Sequence, residues 1–147
     1  MLHIFDLDDT LIHEGFPPEE RCICRETLEV LNYLKAQNHR LAVASHNNMT
    51  EQRLRANGIL HYFDIVQGYP PAPGTFTKRT HVEIILAFYD NRFAPQDVVF
   101  YDDLYEVIHD LKTSHLGIGR CKLVNWEVGI ELSDIETNVP KKDNSAL

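Results

Sequence analysis

Short apolar runs alternate with amphipathic helical stretches along almost the whole chain, and this alternation restricts the fold more than any other feature of the sequence. Leu2 to Phe5 reads as a buried strand. Arg25 to Gln37 follows as a helix, with Leu28, Leu31 and Leu34 recurring at helical spacing. Arg40 to Ala44 is a second strand. Asn48 is positioned to cap a helix from Met49 to Ala56, which Asn57-Gly58 would stop. Tyr62 to Val66 reads as a third strand. Lys78 to Tyr89 is a helix with Val82, Ile85, Leu86 and Tyr89 on one face. Val98 to Tyr101, a helix from Leu104 to Thr113, and a strand from Gly119 to Val124 complete the series. Strands separated by helices form parallel βαβ units. The expected fold is therefore a three-layer α/β/α, Rossmann-like arrangement around a mostly parallel central sheet. One domain is expected over residues 1–135. Residues 136–147 read as a tail, because the stretch from Lys141 has little apolar content. Gly68 to Gly74 is a Pro-rich loop and not a domain boundary.

Bulk properties narrow the function classes. The 147 residues suffice for one cored domain and are too few for two ordinary ones. The hydrophobic fraction of 44% and charged fraction of 24% are those of a globular protein. No apolar run approaches the roughly 20 residues of a membrane helix, so no membrane partner is expected. Asp6, Asp8 and Asp9 fall where a signal peptide would need its apolar segment. The three cysteines, Cys22, Cys24 and Cys121, form no CxxC. They read as free thiols in a reducing, cytoplasmic setting. A net charge of −8 argues against unspecific affinity for a nucleic-acid backbone. It leaves open a phosphate ester bound one group at a time beside a metal ion.

Reactive residues stand at or near the predicted strand ends. Asp6 and Asp8 follow the first strand, Ser45 the second, and Asp102 and Asp103 the fourth; Lys78 opens a helix. In a parallel sheet all strand C-termini share one edge, and ligands bind there. Acids packed this closely repel one another unless a cation lies between them. Mg²⁺ takes hard oxygen ligands, usually one or two carboxylates with waters and a substrate phosphate. A carboxylate can attack phosphorus, and a second one can handle the leaving group's proton. A serine hydroxyl and a lysine can hold non-bridging oxygens as charge redistributes.

Asp6-Leu7-Asp8-Asp9-Thr10-Leu11 resembles the DxDxT signature of the haloacid dehalogenase superfamily of phosphohydrolases. Ala44-Ser45, Lys78 and Tyr101-Asp102-Asp103 resemble its second, third and fourth motifs, in order, and the resemblance covers about residues 1–135. Within the superfamily the chain is similar to the small magnesium-dependent phosphatases. The resemblance implies that Asp6 is nucleophile and metal ligand. It implies that Asp8 is the general acid/base and gives its backbone carbonyl to Mg²⁺. Ser45 would bind the phosphoryl group with His46 and Asn47 beside it, and Lys78 would stabilise a phosphoaspartate. Asp103 would be the direct metal ligand of the acidic pair and Asp102 one acting through water, an order the residues themselves leave open. Asp8 favours phosphatase over dehalogenase chemistry. The short spacings imply no inserted cap domain, hence an open site for phosphoproteins or small phosphorylated molecules. One departure is His46, where related phosphatases often carry an arginine.

Other readings stand beside this one. A polynucleotide end phosphatase would need a basic patch, for which Arg21, Arg25, Lys78 and Arg79 are the candidates. A non-catalytic phospho-binding or regulatory module would keep the site without turnover. A receiver-type signalling domain would place its acceptor Asp on a middle strand and its Lys near the last, and the order here disagrees. Asp6/Asp8 as a turn, Ser45 as a helix cap and Lys78 as a solvated residue are the structural alternatives. Phe16-Pro17-Pro18 and Tyr69-Pro70-Pro71 read as loop packing, and Trp126 as a core or rim aromatic.

Overall fold

The computed structural model describes residues 1–17, 19–69 and 77–136. Its elements are β1 (Leu2–Phe5), α1 (Thr27–Ala36), β2 (Arg40–Ser45), α2 (Thr50–Ala56), β3 (Ile65–Gly68), α3 (Lys78–Phe88), β4 (Val98–Asp102), α4 (Tyr105–Lys112), β5 (Arg120–Leu123) and α5 (Leu132–Glu136). Single 3₁₀ turns lie at Leu60–Tyr62 and Pro95–Asp97. The five strands form one sheet in the order β3-β2-β1-β4-β5, and every neighbouring pair is parallel. The chain runs outward from β1 through β2 to β3, then crosses back to β4 on the other side. This reversal makes the carboxyl end of β1 the switch point, where a crevice opens between diverging connections. The fold is the α/β class expected from the alternation.

Side-chain alternation along β1 divides the core. Leu2 and Ile4 join Ala42, Ala44, Val98 and Phe100 of the neighbouring strands and pack against Val82 and Ile85 of α3 and Ile108 and Leu111 of α4. Phe5 points the other way with Leu41, Val43, Val99 and Tyr101, against Leu31 and Leu34 of α1, Leu54 of α2 and Ile135 of α5. Both faces of β1 are covered, which is why it reads as an unbroken apolar run.

Some expectations shift in detail. On α1 the buried stripe is Thr27, Val30, Leu31 and Leu34, while Leu28 is exposed. Thr27 is drawn inward because its Oγ1 donates to the Leu11 carbonyl at 2.8 Å. β3 starts at Ile65 and not at Tyr62, because the residues before it form the 3₁₀ turn. Asn47, not Asn48, accepts the hydrogen bond at the entry to α2: its Oδ1 takes the Met49 N–H at 2.8 Å. Asn57-Gly58 does end α2, with Gly58 at φ +71°. α5 carries no periodicity long enough to be read in advance, and it ends at Glu136, one residue past the expected domain limit. Pro18, residues 70–74 of the Pro-rich loop and 137–147 lie outside the described residues. Trp126 is exposed, so it is no core residue. Among the described residues, no helix is long and apolar enough to cross a membrane.

Among the described residues, the connections at the crevice hold no inserted domain. Between β1 and α1 the chain makes turns and two isolated bridges, Asp8 with Ile12 and Ile12 with Ile23. Between β2 and α3 the described residues form α2, a 3₁₀ turn and β3.

Candidate active site

Asp6 extends β1 by one residue, its N–H donating to the Tyr101 carbonyl at 2.9 Å. Its carboxylate therefore sits at the sheet edge, between the ends of β2 and β4. Asp102 ends β4; its Oδ1 accepts the Leu104 N–H at 3.0 Å, which orients Oδ2 toward Lys78.

Lys78 reaches this edge because it heads the buried stripe of α3. Lys78, His81, Val82 and Ile85 all face the sheet, so core periodicity carries the lysine inward. It is 6% exposed. Its Nζ donates to Asp6 Oδ1 at 2.7 Å, to the Ala44 carbonyl at 2.7 Å and to Asp102 Oδ2 at 3.1 Å. All three ammonium protons are thereby used. Burial alone would lower the pKa of this ammonium, but Asp6 and Asp102 outweigh it and hold the pKa above its ordinary value. Of the four residues suggested for a basic patch, Lys78 is buried, Arg25 pairs with Glu26 and Glu131, and Arg79 pairs with Asp110.

Carboxylate oxygens of Asp6, Asp102 and Asp103 lie within 4.8 Å of one another. Burial, followed by the charge of Asp102, pushes the Asp6 carboxyl well above the usual carboxylate range against the pull of Lys78. Asp103 is pushed up to about 6, mainly by burial and further by Asp102. Three carboxylates face a single lysine, so the cluster carries surplus negative charge in a desolvated place. Hard oxygen donors with that surplus suit Mg²⁺. Asp6 and Asp103, with Asp102, are the side chains that would hold it.

Asp8 lies across from Lys78. Asn47 Nδ2 donates to its Oδ2 at 3.0 Å, and Arg53 Nε stands 3.9 Å from its Oδ1. Ser45 is buried, and its Oγ accepts the Asn47 N–H at 3.0 Å. His46 is exposed, and its ring lies 5.2 Å from that of His81. Burial, then the charge of Lys78, lowers the His46 pKa, so the ring is neutral at pH 7. His81 is lowered to about 4 by burial, His46 and Lys78.

Asp6, Asp8, Ser45, His46, Asn47, Lys78, Asp102 and Asp103 line one cleft of about 540 Å³, with exposed Glu14, Tyr69 and Leu104 beside them. The eight residues expected to form the site from the resemblance thus line one cleft. Asn47 meets Asp8 there, a contact its position beside Ser45 did not suggest. Arg53, which stands 3.9 Å from Asp8, was missed because an arginine within a helix reads as solvated.

A parallel sheet of this order, with an acidic cluster at the carboxyl end of its central strand, belongs to the Rossmann-like α/β class. No protein-family model matches the chain, and no curated protein matches it in sequence. Solved structures place the fold more closely. A haloacid dehalogenase-like family hydrolase from Streptococcus pneumoniae superposes with a TM-score of 0.66 at 16% identity, over 95% of this chain and 91% of that one. A HAD-superfamily hydrolase from Ehrlichia chaffeensis gives 0.58 at 18% identity, over 92% and 93%. The phosphatase-containing N-terminal part of a Bacteroides fragilis protein, complexed with Mg, gives 0.68 at 17% identity, over 92% of this chain and 39% of that one. The chain has the haloacid dehalogenase-like fold.

Proposed function

We propose that this protein is a Mg²⁺-dependent phosphomonoester hydrolase that works through an aspartyl-phosphate. The observation that carries this reading is the buried Asp6 carboxylate, held by Lys78 at 2.7 Å in a cleft that also contains Asp8, Ser45 and the acidic pair. The Asp6 carboxylate attacks phosphorus, forming an Asp–O–P bond as the bond from phosphorus to the leaving oxygen breaks. Asp8 gives its proton to that oxygen. Asp8 then takes a proton from a water molecule, which attacks the same phosphorus, and inorganic phosphate leaves as the Asp6 carboxylate is restored. Ser45 holds a non-bridging oxygen through both steps, and Lys78, paired with Asp6, stabilises the phosphoaspartate by its charge. Asp6, the Asp8 carbonyl and Asp103 with Asp102 are the groups that would hold Mg²⁺, which when bound would supply positive charge to the phosphoryl group.

Connections that hold no inserted domain among the described residues support an open site that takes phosphoproteins or small phosphorylated molecules. Neutral His46, in place of an arginine, gives the anion a weaker grip. The burial of Lys78 removes a cation from any nucleic-acid track, which disfavours a polynucleotide substrate.

The test is hydrolysis of an aryl phosphate with Mg²⁺ by wild type and by Asp6→Asn, which keeps side-chain size but removes the nucleophile. Wild type is expected to turn over and to stop with chelator. The variant is expected to fall by about 10³-fold or more. A folded wild type that is inactive with Mg²⁺, or a variant as active as wild type, would sink the reading.

A further inference from the structure

We infer that Asn47 and Arg53, both carried on the β2–α2 segment, are positioning residues for Asp8 and not ligands of the phosphoryl group. The inference rests on the phosphatase reading and specifies how its general acid is held.

The Asn47 amide has no freedom to turn. Its Oδ1 accepts the Met49 backbone N–H at 2.8 Å. A backbone N–H can only donate, so the oxygen must face it and the Nδ2 end must face Asp8. That nitrogen donates to Asp8 Oδ2 at 3.0 Å. The Asn47 side chain is thereby committed at both ends.

Arg53 is committed almost as fully. Its side chain is 5% exposed. One terminal nitrogen donates to the Phe16 carbonyl at 2.6 Å. The other donates to the His13 carbonyl at 3.0 Å and contacts Cys22 Sγ at 3.3 Å. The guanidinium thus fastens three points of the segment that leaves Asp8 toward α1. Its remaining donor, Nε, faces Asp8 Oδ1 at 3.9 Å. Both atoms are buried, and neither has a hydrogen-bond partner. A buried donor and a buried carboxylate oxygen left unpaired are each costly, and here the two face each other with opposite charge.

The chemistry follows from what these partners cannot do. An amide nitrogen and a guanidinium are donors only. A proton carried by Asp8 can be passed to neither, so it is delivered into the cleft. The same two contacts fix the carboxylate's direction. A general acid matters in proportion to the basicity of the leaving oxygen, so misplacing Asp8 affects poor leaving groups most.

The experiment compares kcat/KM for p-nitrophenyl phosphate, whose leaving group departs with little help, with that for a simple alkyl phosphate, whose alkoxide needs the proton. The proteins are wild type, Asp8→Asn, Asn47→Ala, Arg53→Gln and Arg53→Lys, each with its thermal melt. Asn47→Ala and Arg53→Gln are expected to lose at least about tenfold more on the alkyl than on the aryl substrate, within the ~10²–10⁴-fold that a general acid supplies. Arg53→Lys keeps a cation beside Asp8 and is expected to hold the aryl-to-alkyl ratio near the wild-type value. If Arg53→Gln does not fold, Asn47→Ala and Arg53→Lys carry the comparison. Equal losses on both substrates would mark the residues as phosphate ligands or general supports and overturn the inference while leaving the phosphatase reading intact. A wild type that hydrolyses neither substrate would bring down that reading, and this inference with it.

Discussion

Lys78 and Asp103 show how one residue's neighbours decide its charge. Lys78 stays an ammonium in the interior because two carboxylates and a carbonyl meet its three protons. Asp103 has no such cation, and burial holds its carboxyl near 6 against an ordinary 3.8. Its ionised form is penalised in the fold, so the stability linked to its proton is full below 3.8 and is lost as pH rises through about 6. Asp103→Asn removes that penalty. In chelator, the variant is therefore expected to melt above wild type at pH 7, and the gap should close by pH 4. The buried histidines, His3 and His81, titrate alike in both proteins and cancel in the difference. A wild type that melts higher at pH 7 would contradict this account. Asp6, Asp8, Ser45, Lys78 and the acidic pair were legible because each stands where a predicted element begins or ends. Arg53 was not, because its burial depends on a distant loop folding over α2. Nothing within Thr50–Ala56 announces that contact.

Elements meet where side chains have room, and at Gly68 there is none. A methyl group there would stand 2.7 Å from Thr50 Cβ and 3.2 Å from the Asn47 carbonyl, so the end of β3 lies against the first turn of α2. Gly68→Ala is expected to cost about 1–3 kcal/mol by overpacking, read as a lowered melting temperature. An unchanged melt would mean that β3 and α2 can separate freely at that end. Element boundaries were legible where hydrophobic periodicity was long, as in α3, and where a strand was buried on both faces, as in β1. They slipped where local hydrogen bonds decided. The 3₁₀ turn at Leu60–Tyr62 delays β3, the Asn47 side chain takes the capping role assigned to Asn48, and α5 is too short to show a period.

At the scale of the molecule, the sheet order converts dispersed residues into one site. The strand-helix alternation makes the fold class legible, and the order β3-β2-β1-β4-β5 then brings Asp6, Ser45 and Asp102 to adjacent strand ends. A cation bound there stabilises the whole fold, because the unfolded chain cannot assemble its ligands. Raising Mg²⁺ is expected to raise the melting temperature of wild type, by an amount worth about 2.7 kcal/mol at a hundred times Kd. The gain should shrink in Asp103→Asn. Equal shifts in both proteins would point to a cation held elsewhere.

The central place of β1 also sets an order of assembly. Its partners begin at Arg40 on one side and at Val98 on the other. During synthesis β1 waits for nearly a hundred residues before its second edge is covered. Contacts this distant in sequence are slow to close. Until β4 arrives, an apolar strand with an open edge is exposed to neighbouring chains. The arrangement that gathers the carboxylates also makes the central strand among the last to be sheltered as the domain folds.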